Sequence, residues 1–350
     1  MSNAVHNMTL DGTGDMVERL YLHSDKAALV IDIDKCDKER VVRGLKKAIA
    51  KRKKHLNRCK GIRGYRHTWC LKVPTGRKRL QDKSASAITI SVDPMFNGTG
   101  FIRINFNPSK LGQHGQKRLR KLLIEGLSEK YFNRIWKCSW VSYLEVAADM
   151  HGVPMEAVCI YKKRSRGTEI FKRGKNSRMC EDYAKLNSAG QILTMRLNSR
   201  ASRLHTRIYN KREEVDVRRK KKGQTVSTNK EPWTRVEIVL KQTRKSPTEL
   251  YKLKVNLCDL WVFDLTLLDE VMLRKPLSIV KPFFMAYCQL YGVQNAIRRL
   301  PRMLKQEMCS RLEKNLISRV SLQERFDEEW KGIIDEALGF LKPEITAKRS

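Results

Sequence analysis

The chain has 350 residues, and 72 Lys and Arg against 37 Asp and Glu give a formal net charge of +35 and a sequence pI near 10.0. Apolar residues make up 41%, enough for a core, so the composition argues against a disordered basic tail and directs a folded surface at a polyanion, nucleic acid first. No run of about 18 apolar residues occurs, which argues against a spanning helix, and no lipidation or amphipathic signal favours a membrane surface.

Nine cysteines stand singly, an odd number with no C-x-x-C. Neither a disulfide framework nor a zinc knuckle is indicated, and reduced thiols in a cytoplasmic protein are expected. The seven histidines are also isolated, so a histidine-built metal site has no support.

Residues 1–24 read as a polar lead-in without a signal core. Leu29, Ile31 and Ile33 alternate with Val30, Asp32 and Asp34, which predicts a strand. A basic helix is expected over 37–57, from Val41, Leu45, Ala48 and Ile49 at helical spacing. It carries Lys51-Arg-Lys-Lys54, either a solvated face or a phosphate contact. Short strands follow near 65–73 and 87–92. Phe101-Ile-Arg-Ile-Asn-Phe-Asn107 alternates, with Ile102, Ile104 and Phe106 inward and Arg103 on the other face. Asn107-Pro-Ser-Lys110 reads as a turn. A helix is expected over 114–135, from Leu119, Leu123, Leu127 and Tyr131. The first 135 residues thus read as an α+β DNA-binding segment, with Arg103 and Lys110 as candidate phosphate contacts.

Three strand-like runs dominate residues 136–245. They are Tyr143-Leu-Glu-Val-Ala-Ala-Asp149, Arg203-Leu-His-Thr-Arg-Ile-Tyr-Asn-Lys211 and Thr234-Arg-Val-Glu-Ile-Val-Leu-Lys241. Alternate side chains of a strand share a face. That phase puts Arg203, His205, Arg207, Tyr209 and Lys211 together, with Arg235 and Glu237 on the third run and Tyr143, Glu145 and Asp149 on the first. The opposite faces are apolar. An antiparallel sheet with this front carries a hydroxyl, carboxylates and cations, which suits attack on a phosphodiester. Arg212 to Glu231 shows no apolar period and is expected to be an exposed loop. Its Arg218, Arg219 and Lys220 are candidate contacts to a DNA backbone. Trp136, Trp140 and Trp233 flank the strands and read as core. After 246 the pattern becomes mainly helical, with a capping signature at Ser321 and Glu324. The expected domains are 1–135, 136–245 and 246–350. The expected fold is α+β, an antiparallel sheet backed by helices.

The second run and its approach, from Gln191, resemble the tyrosine motif of the rolling-circle replication initiators of plasmids and filamentous phages. That motif is a G-S-R-x-S turn leading into R-[IVL]-Y-x-K-x-x-E. The matching residues are Asn198-Ser-Arg200, Ser202, Arg207, Ile208, Tyr209, Lys211 and Glu214. Arg235-Val-Glu237 resembles the family's R-[VF]-E strand. Glu145, Asp149 and Gly152 resemble its R-I-D-x-x-x-D-x-x-G element. The three motifs occur in the family's order. Tyr143 stands where the family has arginine, Glu145 where it has aspartate, and Asn198 where it has a turn glycine.

The resemblance implies origin-specific DNA binding and nicking of one strand by transesterification at Tyr209, with a bacterial cytoplasm as the setting and a host helicase as candidate protein partner. It implies Arg207 and Lys211 beside the nucleophile, and Arg235, Arg200 and Arg203 on the phosphates. Glu145, Glu237 and Asp149 are the implied ligands of Mg²⁺ or Mn²⁺, since the donors are hard oxygens. On a straight strand Asp149 lies roughly 13 Å from Glu145, at about 3.3 Å per residue. It joins the same ion only if the strand bends, and otherwise anchors Arg235 or another cation. Tyr161 and Tyr183 are rival nucleophiles. His205 is either a proton-transfer group or a solvent-exposed histidine. The alternative functions are a non-catalytic basic nucleic-acid binder and a relaxase- or transposase-like strand-transfer enzyme.

Overall fold

The alternating runs and helical stripes fold into an α+β protein of antiparallel sheets and packed helices. The computed structural model describes residues 22–52, 56–57, 64–73, 86–164, 167–169, 185–186, 192–197, 202–221, 223–225, 231–255, 257, 259–315 and 317–343. The elements through the first half are β1 (Leu22–Ile31), α1 (Lys38–Ala50), β2 (Leu56–Asn57), β3 (Tyr65–Val73), β4 (Ser86–Pro94), β5 (Ile102–Phe106), α2 (Pro108–Leu127), α3 (Glu129–Cys138), β6 (Ser139–His151), β7 (Val158–Arg164) and β8 (Gly167–Glu169). They continue as β9 (Lys185–Leu186), β10 (Ile192–Leu197), β11 (Leu204–Asn210), α4 (Lys211–Lys220), β12 (Trp233–Lys245), α5 (Pro247–Leu250), β13 (Asp259–Phe263) and α6 (Leu265–Met272). The chain then runs through α7 (Lys281–Tyr291), α8 (Val293–Arg299), α9 (Arg302–Asn315), β14 (Ile317–Ser321) and α10 (Leu322–Leu338).

Two units result, each assembled from separated segments. The first takes residues 23–147, 239–254 and 329–350; the second takes 1–22, 148–238 and 255–328. The expected linear boundaries 1–135, 136–245 and 246–350 do not describe them. Long strands such as β6 and β12 carry residues of both, so chain order and spatial grouping part company.

In the first unit the strands follow the order β2-β3-β4-β5-β1-β6, then the second half of β12. Leu71 pairs with Ile88, Ile90 with Ile104, and Leu29 with Ile104 on the next strand. Residues Ala27 to Ile31 are all buried. The alternation expected there is absent because β1 is a central strand covered on both faces. Helices α1, α2 and α3 supply Leu45, Ile49, Leu119, Leu123 and Phe132 to the core, and α10 adds Ile333, Ile334, Ala337 and Leu338. Asn107 is the cap of α2, accepting from the Lys110 N–H at 2.9 Å, so the expected turn is a helix start.

In the second unit β12 lies beside β11, followed by β10 and β9. A second sheet has the order β14-β13-β7-β8. Strands β13 and β14 are an addition to the expected helical region; each is only five residues long, too short for alternation to stand out. Beneath lies a helical core with Leu268, Met272, Phe284, Val293, Ile297 and Met308.

Candidate active site

Strand β11 and the helix it runs into position the tyrosine. Thr194 of β10 pairs with Tyr209, and Arg196 with Arg207. Asn210 then ends the strand: its side chain accepts from the Glu213 N–H at 2.9 Å, so α4 begins at Lys211. The segment expected as a loop is therefore helical through Lys220. It buries no residue, and so lacks the apolar stripe by which a helix is recognised. Its stability comes from the cap, from Glu213 and Glu214 in the first turn and from Arg218, Arg219 and Lys220 in the last, all matched to the helix dipole.

Tyr209 is 4% exposed. Its hydroxyl donates to Glu237 Oε1 at 2.5 Å and accepts from Lys211 Nζ at 3.2 Å. Arg207 Nε donates to Glu237 Oε2 at 2.9 Å, and Nη2 bonds the same oxygen. Lys211 also donates to Glu214 Oε2 at 2.6 Å, and Arg218 to Glu214 Oε1 at 2.5 Å. The Arg207 guanidinium lies 4.4 Å and the Lys211 ammonium 5.4 Å from the Tyr209 ring centroid, both within cation–π range.

Arg207 and Lys211 are thus beside the phenol as expected, but each is matched by a carboxylate. Burial, then the charge and hydrogen bond of Glu237, then the charge of Glu214, push the Tyr209 phenol well above its ordinary value of 10.0; Arg235 pulls the other way. The hydroxyl is held protonated, its hydrogen aimed at Glu237. Glu214, matched to the motif in sequence but given no role there, is the partner of both Lys211 and Arg218. Its i,i+3 and i,i+4 spacing to Lys211 and Arg218 carries the signal once the segment is known to be helical.

Asp149 faces elsewhere. Arg235 grips it through Nε at 2.6 Å and Nη2 at 2.5 Å, and Trp233 Nε1 donates to it at 2.8 Å. Both oxygens are engaged, and Asp149 anchors Arg235, one of the two roles the sequence left open for it. Arg235 in turn is buried at 8% exposure and is not an open phosphate clamp. Trp233 is half-buried, stacked on His151 with centroids 4.8 Å apart. His205 is buried, contrary to the exposed position considered for it, because both faces of β11 are largely covered.

Glu145 belongs to the first unit and is buried at 2% exposure. Its carboxylate accepts from Lys26 Nζ at 2.8 Å and from the Tyr143 hydroxyl at 2.5 Å. Oxygens of Asp25 and Glu145 lie within 4.8 Å of each other, and Asp25 accepts from Asn107 Nδ2 at 2.8 Å. Sequence reading did not single out Asp25, which lies just past the expected lead-in of residues 1–24 and within β1. Arg103, also in the first unit, donates to Asn105 Oδ1 at 3.1 Å, and Lys110 is exposed in the first turn of α2.

Of the remaining candidates, Arg203, Arg218 and Lys220 are exposed and Arg219 is half-buried. Arg200 and the rival Tyr183 lie outside the described residues. Tyr161 falls on β7, where it pairs with Asp259. Among the described residues no helix is long and apolar enough to cross a membrane. Comparison of the chain with protein-family models gives no match, and comparison with curated proteins gives none either.

Proposed function

We propose that the chain nicks one strand of DNA by transesterification at Tyr209, as an initiator of rolling-circle replication acting on its origin. The observation that carries this reading is the Tyr209 hydroxyl hydrogen-bonded to the Glu237 carboxylate between two cations. In the reaction Glu237 takes the phenolic proton as general base while the phenol oxygen attacks the scissile phosphorus. The P–O3′ bond breaks, the 3′ oxygen leaves and picks up a proton, and the 5′ phosphate stays on Tyr209 as a diester. The ester keeps the phosphodiester energy, so religation needs no nucleotide triphosphate. Arg207 and Lys211 turn from the carboxylates toward the phosphate oxygens as charge develops there.

The oxygen donors fit a hard divalent ion, Mg²⁺ or Mn²⁺. Within the second unit Glu237, beside the phenol, is the carboxylate that would bind such an ion; within the first unit Glu145 and Asp25, whose oxygens lie within 4.8 Å of each other, are a carboxylate pair of the same chemistry. A bound ion supplies positive charge, which lowers the pKa of a nearby phenol and neutralises phosphate oxygens.

The test is to incubate the protein with Mg²⁺ and single-stranded origin DNA, digest both, and seek a nucleotide-modified tyrosyl peptide by mass spectrometry. Modification at Tyr209 is expected, with loss in Tyr209→Phe and in Glu237→Gln. A modified Tyr161 or Tyr183 peptide instead would move the nucleophile. The second reading, a basic nucleic-acid binder without catalysis, is favoured by the burial and raised pKa of Tyr209. It predicts strand binding with no covalent product at all.

A further inference from the structure

Lys51 and Arg52 at the end of α1 have no part in the Tyr209 chemistry, yet they border a cleft within the first unit. The cleft has a volume of about 450 Å³, inside the range typical of ligand sites. Its floor is Leu71, Ile88, Leu119 and Leu122, all buried. Its rim carries Lys51, Arg52, Lys72, Arg118 and Lys121 against one carboxylate, Glu125.

Helices α1 and α2 are set close to form this wall. A Cβ on Gly44 would meet the Gly126 carbonyl oxygen at 2.4 Å, and one on Gly126 would meet Leu45 at 2.5 Å. Gly44 accepts no side chain without moving the backbone of α2, and a side chain at Gly126 would displace that of Leu45. The α2 residues Arg118, Lys121, Leu122 and Glu125 then recur at helical spacing along one edge, and β3 and β4 supply the rest.

The rim is not electrically balanced. Arg52 is committed, donating to Glu125 Oε2 at 3.0 Å and to the Ala48 carbonyl at 2.6 Å. Lys51, Lys72, Arg118 and Lys121 have no ion pair among the described residues, and Lys51, Lys72, Arg118 and Lys121 are exposed. The Arg52 hydrogen bond, together with the charges of Arg52, Lys51 and Lys121, draws Glu125 below its ordinary value of 4.5. A concave, apolar-floored surface on which five cations outnumber the single carboxylate Glu125 is suited to a ligand with an apolar body and a string of negative charges.

We propose that this cleft is a second nucleic-acid site, one that seats a short segment of single-stranded polynucleotide with its phosphates on Lys51, Lys72, Arg118 and Lys121 and a base against the leucine floor. A single strand fits where a duplex does not, since about 450 Å³ holds one or two nucleotides and a double helix is too wide to enter. The site shares no residue with the Tyr209 cluster and stands whether or not Tyr209 is a nucleophile.

The experiment uses the full chain carrying Tyr209→Phe, in EDTA, so that nicking plays no part. Binding of fluorescein-labelled oligothymidylate is followed by anisotropy over a salt series. The double variant Lys72→Glu/Lys121→Glu is compared with Lys117→Glu/Lys130→Glu, which reverses two exposed cations outside the cleft. The cleft variant is expected to weaken binding on the order of tenfold or more and to reduce the slope of log K against log salt by about 1.4, for two single-strand phosphate contacts. The control pair should change it much less. Equal losses in both pairs would mean a diffuse basic surface and would overturn the site, as would no loss in the cleft pair. Thymidine monophosphate should fail to displace the strand at equal nucleotide concentration, and duplex should compete less well than single strand; success of either competitor overturns the strand assignment. Circular dichroism melting confirms that both pairs are folded.

Discussion

Tyr209 is a phenol whose surroundings oppose its ionisation until something changes the local charge. Two carboxylates and burial hold its proton in place, while the cations that would favour a phenolate are spent on Glu237 and Glu214. Replacing Glu237 by Gln removes a negative neighbour, so spectrophotometric titration should show the Tyr209 phenol ionising at lower pH than in the wild type; an unchanged or higher midpoint would contradict the assigned cause. The raised pKa also fixes a direction for stability. Below pH 10.0 both folded and unfolded chains keep the proton and the network contributes in full. As pH rises above that value only the unfolded chain ionises readily, so this contribution falls toward the folded pKa. Tyr209→Phe should therefore cost about 1–3 kcal/mol near neutrality, for the lost donor to a buried carboxylate, yet flatten the alkaline limb of the unfolding curve. A variant that melts as steeply as wild type above pH 10 would place the alkaline sensitivity elsewhere.

At the scale of elements, the alternation in sequence identified the motif strands and placed Leu144, Val146 and Ile208 on buried faces, but burial itself does not alternate: Glu145, Tyr209 and Glu237 on the opposite faces are buried as well. What pattern could not deliver was set by local hydrogen bonds. Helix α4 buries nothing, so its existence rests on Asn210 and on charge order, a signal of capping and not of hydrophobic period. Its cap is then its weak point. Asn210→Ala should cost about 1 kcal/mol, seen as faster amide exchange through Lys211–Lys220 with β10 and β11 little affected. Acid acts on the same helix. Burial alone would raise Glu214, but the hydrogen bond and charge of Lys211, with Arg218 and Arg207, bring it below the ordinary 4.5. Its contribution is present above the unfolded value and disappears as pH falls through the folded one, so α4 should lose protection in acid before the sheet does. Asp149 illustrates the other limit of sequence reading. The strand geometry that made its sharing of an ion with Glu145 doubtful left Arg235 or another cation as its partner, and the fold selects Arg235.

For the whole molecule, the consequence of interleaved units is that the chain cannot be cut where its composition changes. The first unit needs residues 329–350 as much as its N-terminal strands. Gln116 Nε2 donates to the Glu336 carbonyl at 2.8 Å, Arg120 Nη1 to the carbonyls of Phe340 and Lys342 at 2.7 Å, and Trp330 Nε1 to the Leu250 carbonyl at 2.6 Å. Phe340 packs edge-on against Phe106, with ring centroids 5.6 Å apart. Ile333, Ile334, Leu338 and Leu341 are buried in the same unit, and each such side chain contributes about 1.5–3 kcal/mol on burial. Their sum is comparable to the total stability of an ordinary domain, about 5–15 kcal/mol. A chain ending at residue 328 should therefore lose the cooperative unfolding of the first unit, and a fragment of residues 1–135 should not fold although it contains β1 to β5, α1 and α2. Limited proteolysis of the shortened chain should open sites within α2 and β5 that are closed in the full protein. Retained protection there would show that the N-terminal segment is a domain in its own right and that the C-terminal helix merely covers it. Supplying residues 329–350 as a separate peptide should restore protection, because the contacts that fail are side-chain burial and hydrogen bonds and not continuity of the chain.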